Sequence, residues 1–257
     1  MQVGTIKVPV RGRAFIESEA ERLLAEYVEE TSVKLDGPIP VEEIARYHLC
    51  LKLEFADLHD VLDLPKTSGG PDILGAMFFE QSAILIDERL NPEVHPAQIG
   101  RYRFSLGHEI GHWWLHRDAM AKRRLANADL PAFICRQSDA VTVPVEWQAE
   151  TFASFLLLPR ERVLAEWGKL RGSGEPFRFD VAGHGSQRLR SLWFGLTSDG
   201  EKARRLFTRE CEATFDEIAS GLAKVFAVST QAMRIRLEGL RLLVRGAGCV
   251  APPRWAA

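Results

Sequence analysis

The apolar residues Phe15, Ala20, Leu23, Leu24, Tyr27 and Val28 recur at three- and four-residue intervals, which predicts a helix from about Phe15 to Glu30. Gly37-Pro38 breaks that pattern, and Val41 to Tyr47 reads as a second, shorter helix. From Leu49 to Phe55 (LCLKLEF) apolar and polar residues alternate, as on a half-buried strand. Asp57 to Pro71 has the Gly, Pro, Ser and Asp content of a loop. Two further strands are predicted at Ile73 to Phe79 and Ser82 to Asp87, around the turn residues Glu80-Gln81. After a linker from Asn91 to Pro96, helical spacing returns from Ala97 to Arg117 and again from Val145 to Leu157, where Pro159 stops it.

Gly168 to Gly185, rich in Gly, Arg and Phe, is the best linker, and helices are expected beyond it at Ser198 to Arg209, Phe215 to Phe226 and Thr230 to Leu243. Ser229 suits the N-cap of the last, because its oxygen can accept a free backbone N–H. The pattern therefore predicts an α+β domain over residues 1–167, with a small sheet ahead of the Ala97 to Arg117 helix, and a mostly helical region over 168–257.

Composition adds little to this: 46% apolar and 26% charged residues describe an ordinary globular protein. The longest apolar stretch, Phe152 to Pro159, is far short of a membrane span, and the first fifteen residues hold no signal-peptide core, so a cytoplasmic location without membrane contact is the expectation. Cys50, Cys135, Cys211 and Cys249 form no CxxC pair and read as reduced structural thiols. Charge is more informative. Residues 1–159 carry 16 Lys+Arg against 24 Asp+Glu, net −8, while 160–257 carry 17 against 11, net +6. The contrast suggests two parts with different partners, although solvated faces alone would produce it too.

The chemistry is concentrated in His108-Glu109-Ile110-Gly111-His112. Four residues apart on a helix, the two imidazoles lie on one face and can reach one metal ion. The glutamate beside the first can take a proton from water activated there. A catalytic zinc needs a third protein ligand. His116 lies about 12 Å from His108 along a straight helix, and nothing in Trp113-Trp114-Leu115 breaks it, so His116 reads as a helix-end or supporting residue. Glu146 and Glu150 place two carboxylates on one face of the next helix; one could bind the metal and the other accept a ligand ring's N–H. Gly111 is a poor helix former, and a close approach by substrate or a neighbouring strand would explain it.

RFSLGHEIGHWWLH, followed by EWQAETFASFLLLP, resembles the ImmA/IrrE-type metallopeptidases, a gluzincin-like family with HExxH on one helix and E-x-x-A-(D/N)-x-F-A-x-x-L-L-x-P on the next. PIPVEEIARYHLCLKLE and ILGAMFFEQSAILID look like that family's N-terminal helix and strands. The resemblance implies a zincin-like peptidase domain with His108, His112 and Glu146 as zinc ligands and Glu109 as general base. Glu150 stands where the family has Asp or Asn, so a supporting role for it is implied with a longer side chain than usual. FDEIASGLAKVFAVSTQAMRIRLEGLRLL is similar to the helix-turn-helix-like segment that often follows, with Ala223, Ala227, Val228 and Met233 at packing spacing.

Three functions remain open at this stage. The first is a zinc endopeptidase that cuts or inactivates a helix-turn-helix repressor, with Tyr102, Arg101 and His184 as candidates for stabilising the oxyanion. The second is a metal-binding transcription regulator that contacts DNA through Gln231, Arg234 and Arg241. The third is a toxin–antitoxin-like interaction partner without turnover. Two imidazoles and a carboxylate suit zinc, with manganese as the alternative.

Overall fold

The computed structural model describes residues 8–62, 72–125, 133–137, 144–195 and 201–246. The chain forms two compact units, one made of residues 1–159 with 226–228, the other of the remainder. The sequence pattern draws the division at 167/168 instead, so the helix that begins at Arg160 falls in the second unit.

In the first unit, α1 (Arg13–Thr31) buries Ile16, Ala20, Leu23, Leu24 and Tyr27, the predicted stripe. It stops where Ser32 turns left-handed at φ 58° and donates its N–H to the Val28 carbonyl. α2 (Val41–Glu43) opens into a wide turn, Ile44–His48. Cys50 then takes φ 54°, which delays β1 to Lys52–Ala56, three residues later than alternation predicts. In the loop predicted from Asp57, the Asp57 carboxylate accepts from the N–H groups of His59 and Asp60 and caps a single helical turn, α3 (Leu58–Val61). The end of that loop lies outside the described residues.

β2 (Asp72–Phe78) and β3 (Ala83–Asp87) form the predicted hairpin, and β4 (Phe133–Gln137), absent from the sequence expectation, pairs antiparallel with β2. The sheet order is β1-β3-β2-β4, with β1 parallel to β3. Against the sheet lies α4 (Ile99–Leu125), which ends eight residues later than its pattern indicated, and against α4 lies α5 (Pro144–Leu157). α5 buries nine residues from Val145 to Leu157, including Phe152, Phe155 and Leu156, and packs against α1 as well. The site-bearing helices are thus held between the sheet and α1.

The second unit begins with α6 (Arg160–Arg171), which the sequence pattern missed, and continues with β5 (Phe177–Phe179), α7 (Val181–His184) and α8 (Gln187–Gly195). The predicted linker therefore holds ordered elements, with the Trp167 indole N–H donating to the Glu175 carbonyl. The two helices expected at 198–209 and 215–226 are one, α9 (Glu201–Phe226), because Cys211 carries the buried stripe from Phe207 to Phe215 and Ala219. α10 (Thr230–Gly239) is capped by Ser229, whose hydroxyl accepts from Ala232 N at 3.1 Å. It ends four residues before the predicted Leu243, as Arg241 turns to φ 59° and β6 (Leu243–Arg245) pairs with β5. Arg234, a candidate DNA contact, is buried and ion-paired with Glu212 and Asp216, whereas Gln231 and Arg241 are exposed. No helix among the described residues is long and apolar enough to cross a membrane.

Candidate metal centre

Two helices make the site because small residues let them touch. On α4, Gly107 and Gly111 stand one turn apart; on α5, Ala149 and Ala153 do the same. A Cβ placed on Gly111 would sit 3.0 Å from the Ala149 carbonyl oxygen and 3.1 Å from its Cα, and one on Gly107 would sit 3.4 Å from the Ala153 Cβ. It is therefore a neighbouring helix, neither strand nor substrate, that the glycine at 111 accommodates. This contact brings the first turn of α5 over the middle of α4.

There His108 Nε2 lies 2.9 Å from His112 Nε2 and 3.1 Å from Glu146 Oε2, and His112 Nε2 lies 3.5 Å from Glu146 Oε1. Both rings are buried, and Glu146 is partly so. Two ring nitrogens face to face have room for at most one proton between them, and their lone pairs otherwise repel. A cation resolves the conflict. With metal–ligand bonds of roughly 2.0–2.2 Å in tetrahedral geometry, donor atoms stand about 3.3 Å apart, close to the three separations found. These three residues are the group of potential metal ligands among those described.

The electrostatics agree with such a use. Burial, then the neighbouring His108, pushes His112 down to about 4, which keeps its ring neutral and able to ligate. Burial works to raise Glu146, but the hydrogen bonds and charges of His108 and His112 outweigh it and hold that carboxyl well below the usual range. Glu109, one residue from His108, is completely buried, and neither of its oxygens has a hydrogen-bond partner among the described residues. Burial, and next the charge of Glu146, pushes its carboxyl well up. A buried acid with two unmet oxygens beside a cluster of ligands is suited to exchanging protons with a small polar molecule there.

The slot that holds Glu109 includes a residue sequence reasoning missed. A Cβ on Gly75 of β2 would lie 2.7 Å from Glu109 Oε1 and about as close to its Cγ and Cδ, at 3.0 and 3.1 Å. The β2–β4 register shifts between Ile73 and Gly75, so the strand is irregular where it covers the acid. A lone glycine inside a strand pattern was the available signal.

The remaining candidates are placed as follows. Glu150 is solvent-exposed and makes no hydrogen bond to His108 or His112 among the described contacts; burial of its carboxyl raises it nonetheless, against the pull of His108. The group found against a ligand ring is His116, whose Nδ1 lies 3.4 Å from that of His112. Tyr102 is buried and its hydroxyl donates to Glu42 Oε2 at 2.9 Å, which engages it away from any substrate. His184 belongs to the second unit, where its ring meets Phe177 and Phe179. Arg101 is on the exposed face of α4.

Residues 83–182 match the family model described as the IrrE N-terminal-like domain of peptidases, which spans α4, β4 and α5. A comparison with curated proteins finds no match. This segment, which bears the HExxH helix and the glutamate that meets it, is similar to the ImmA/IrrE family of metallopeptidases.

Proposed function

We propose that the protein is an intracellular zinc-dependent endopeptidase, with His108, His112 and Glu146 as the metal ligands and Glu109 as the general base. The observation that supports this most directly is the convergence of three ligand atoms from two helices, all within 4.8 Å of one another, beside an acid with no hydrogen-bond partner among the described residues. Two imidazoles and one carboxylate are a catalytic zinc set that leaves a position open. When bound, the ion would polarise the scissile carbonyl and acidify the attacking water. Glu109 accepts the proton that this water gives up and delivers it to the departing amine. His108 and His112, buried and held by the α4–α5 contact, keep the donor set in place without reorganisation. Glu146 supplies the one negative charge among the ligands.

The substrate we propose is a helix-turn-helix transcriptional repressor, on the strength of the family resemblance. The test combines metal analysis of the purified protein with a cleavage assay against the repressor encoded beside its gene. Glu109→Gln should retain stoichiometric zinc and lose cleavage by at least about a hundredfold, the contribution expected of a general base. Cleavage by that variant at the rate of the parent would sink the assignment, and a metal other than zinc in the active preparation would revise the cofactor.

A further inference from the structure

Glu109 and His112 are fully buried, and His108 is 4% exposed. A peptide bond has to reach these residues to be cut, so an element beside them has to give way. α5 is set against α4 by the close contacts at Gly107 and Gly111. β2, whose Gly75 lies over Glu109, is held by β3 through an unbroken register from Gly75–Ile86 to Phe78–Ala83. β4 differs from both. It is an edge strand of five residues, paired with β2 alone among the described residues. Its ladder slips between Ile73 and Gly75, next to the acid. It can leave β2 without breaking the pairing of any other strand in the sheet.

We infer that β4 occupies, in cis, the edge of β2 on which an extended segment of the substrate lies, so that a strand of the chain itself holds the site closed. A free strand edge is a row of unpaired N–H and C=O groups, and an extended peptide adds to such a row through its main chain. On β2 that row is covered from Asp72 to Met77 by the pairing with Gln137 to Phe133. Without β4 the open row passes through Gly75 and therefore beside Glu109. The register slip disrupts the ladder at that same point, so release is easiest where room for a substrate is needed. β4 lies between α4 and α5 in the sequence, and a tethered strand competes with a free one at high effective concentration. The closed pairing is therefore the resting state, and a substrate has to displace it. This rests on the peptidase reading only where it concerns cleavage; strand exchange on β2 is a property of the fold without it.

Two variants of the full-length protein test the inference. Ala76 and Ile134 are register partners, and opposed Cα atoms in an antiparallel ladder stand about 4.5–5.5 Å apart, within disulfide reach. Ala76→Cys with Ile134→Cys, in a Cys135→Ser background, therefore staples β4 to β2 when oxidised, and the same protein after reduction is its control. Ile134→Pro with Cys135→Pro weakens the ladder instead, because N–H groups alternate in direction along a strand and proline has none. The probe is a fluorescent peptide of residues 131–139 with serine in place of Cys135, and its binding is read by polarisation. Affinity scales with the fraction of molecules whose edge is open, so the oxidised form should bind at least about a hundredfold more weakly than the reduced form. By the same rule the proline variant should bind about tenfold more tightly than the parent. Cleavage of the repressor by the zinc-loaded proteins should follow the same order. Equal binding by the oxidised and reduced forms, or a folded proline variant that binds no better than the parent, overturns the inference. Peptide binding in the expected order without cleavage by any form overturns the peptidase reading and leaves the strand exchange standing.

Discussion

At the scale of single residues, the site depends as much on what is missing as on what is present. Gly75 has no side chain where Glu109 needs room, and an alanine there would press on Cγ and Cδ as well as on the carboxylate oxygen. The acid cannot answer by swinging its tip alone, so the whole side chain must shift. Misplacement of a reacting group by about 1 Å can cost on the order of a hundredfold in rate. Gly75→Ala should therefore lower kcat by about that factor while zinc affinity, which the proposed ligands His108, His112 and Glu146 would govern, stays within about threefold of the parent. Steady-state kinetics with a chelator titration checks this; an unaltered kcat would mean that Glu109 has space the packing does not show.

Among elements, the decisive contact is α4 against α5. Gly111 is a choice against helix propensity, since alanine would favour the helix by about 1 kcal/mol. The added methyl, however, would meet backbone atoms of Ala149, which cannot rotate away as a side chain would. Overpacking of this kind costs typically about 1–3 kcal/mol, so the clash outweighs the propensity gain. Gly111→Ala should be destabilised by about 1 kcal/mol in thermal or denaturant unfolding. Because the strain pushes α5 away from α4, zinc binding should weaken by about tenfold, and a variant that is stabilised with full affinity would refute the close-contact account. Element boundaries were legible where the apolar stripe was clean, as in α1 and the β2–β3 hairpin. They were not legible where backbone geometry intervened. The left-handed Cys50 delays β1, and the left-handed Arg241 follows an α10 that apolar spacing alone would have carried to Leu243.

For the whole molecule, the three proposed ligands sit in the first unit, and each comes from a helix that the sheet or α1 holds down. A ligand that binds only the folded state stabilises it by about 4 kcal/mol at a thousandfold excess over its dissociation constant. Removing zinc with a chelator should thus lower the melting temperature by about 10 °C for a chain of this size. Glu109→Gln should show the same drop, because it keeps the ligands, and a melting curve indifferent to chelation would argue against a tightly held ion. In the second unit, partly buried ion pairs join Arg234 and Arg245 to Glu212. The basic excess of that half is therefore partly spent inside it.

By itself the amino-acid order determined the chemistry: HExxH and the acidic helix after it name their donor atoms through residue type and a four-residue spacing, which are local properties of a helix. Which acid meets the rings was settled only by tertiary packing, where Gly107 and Gly111 let α5 approach and Glu146, at its first turn, arrives first while Glu150 faces solvent. The same holds for Gly75 over Glu109 and for the Gln148 amide that donates to the Pro9 carbonyl. Each joins residues tens of positions apart, and their meeting depends on the close packing of elements, which periodicity within any one element cannot encode.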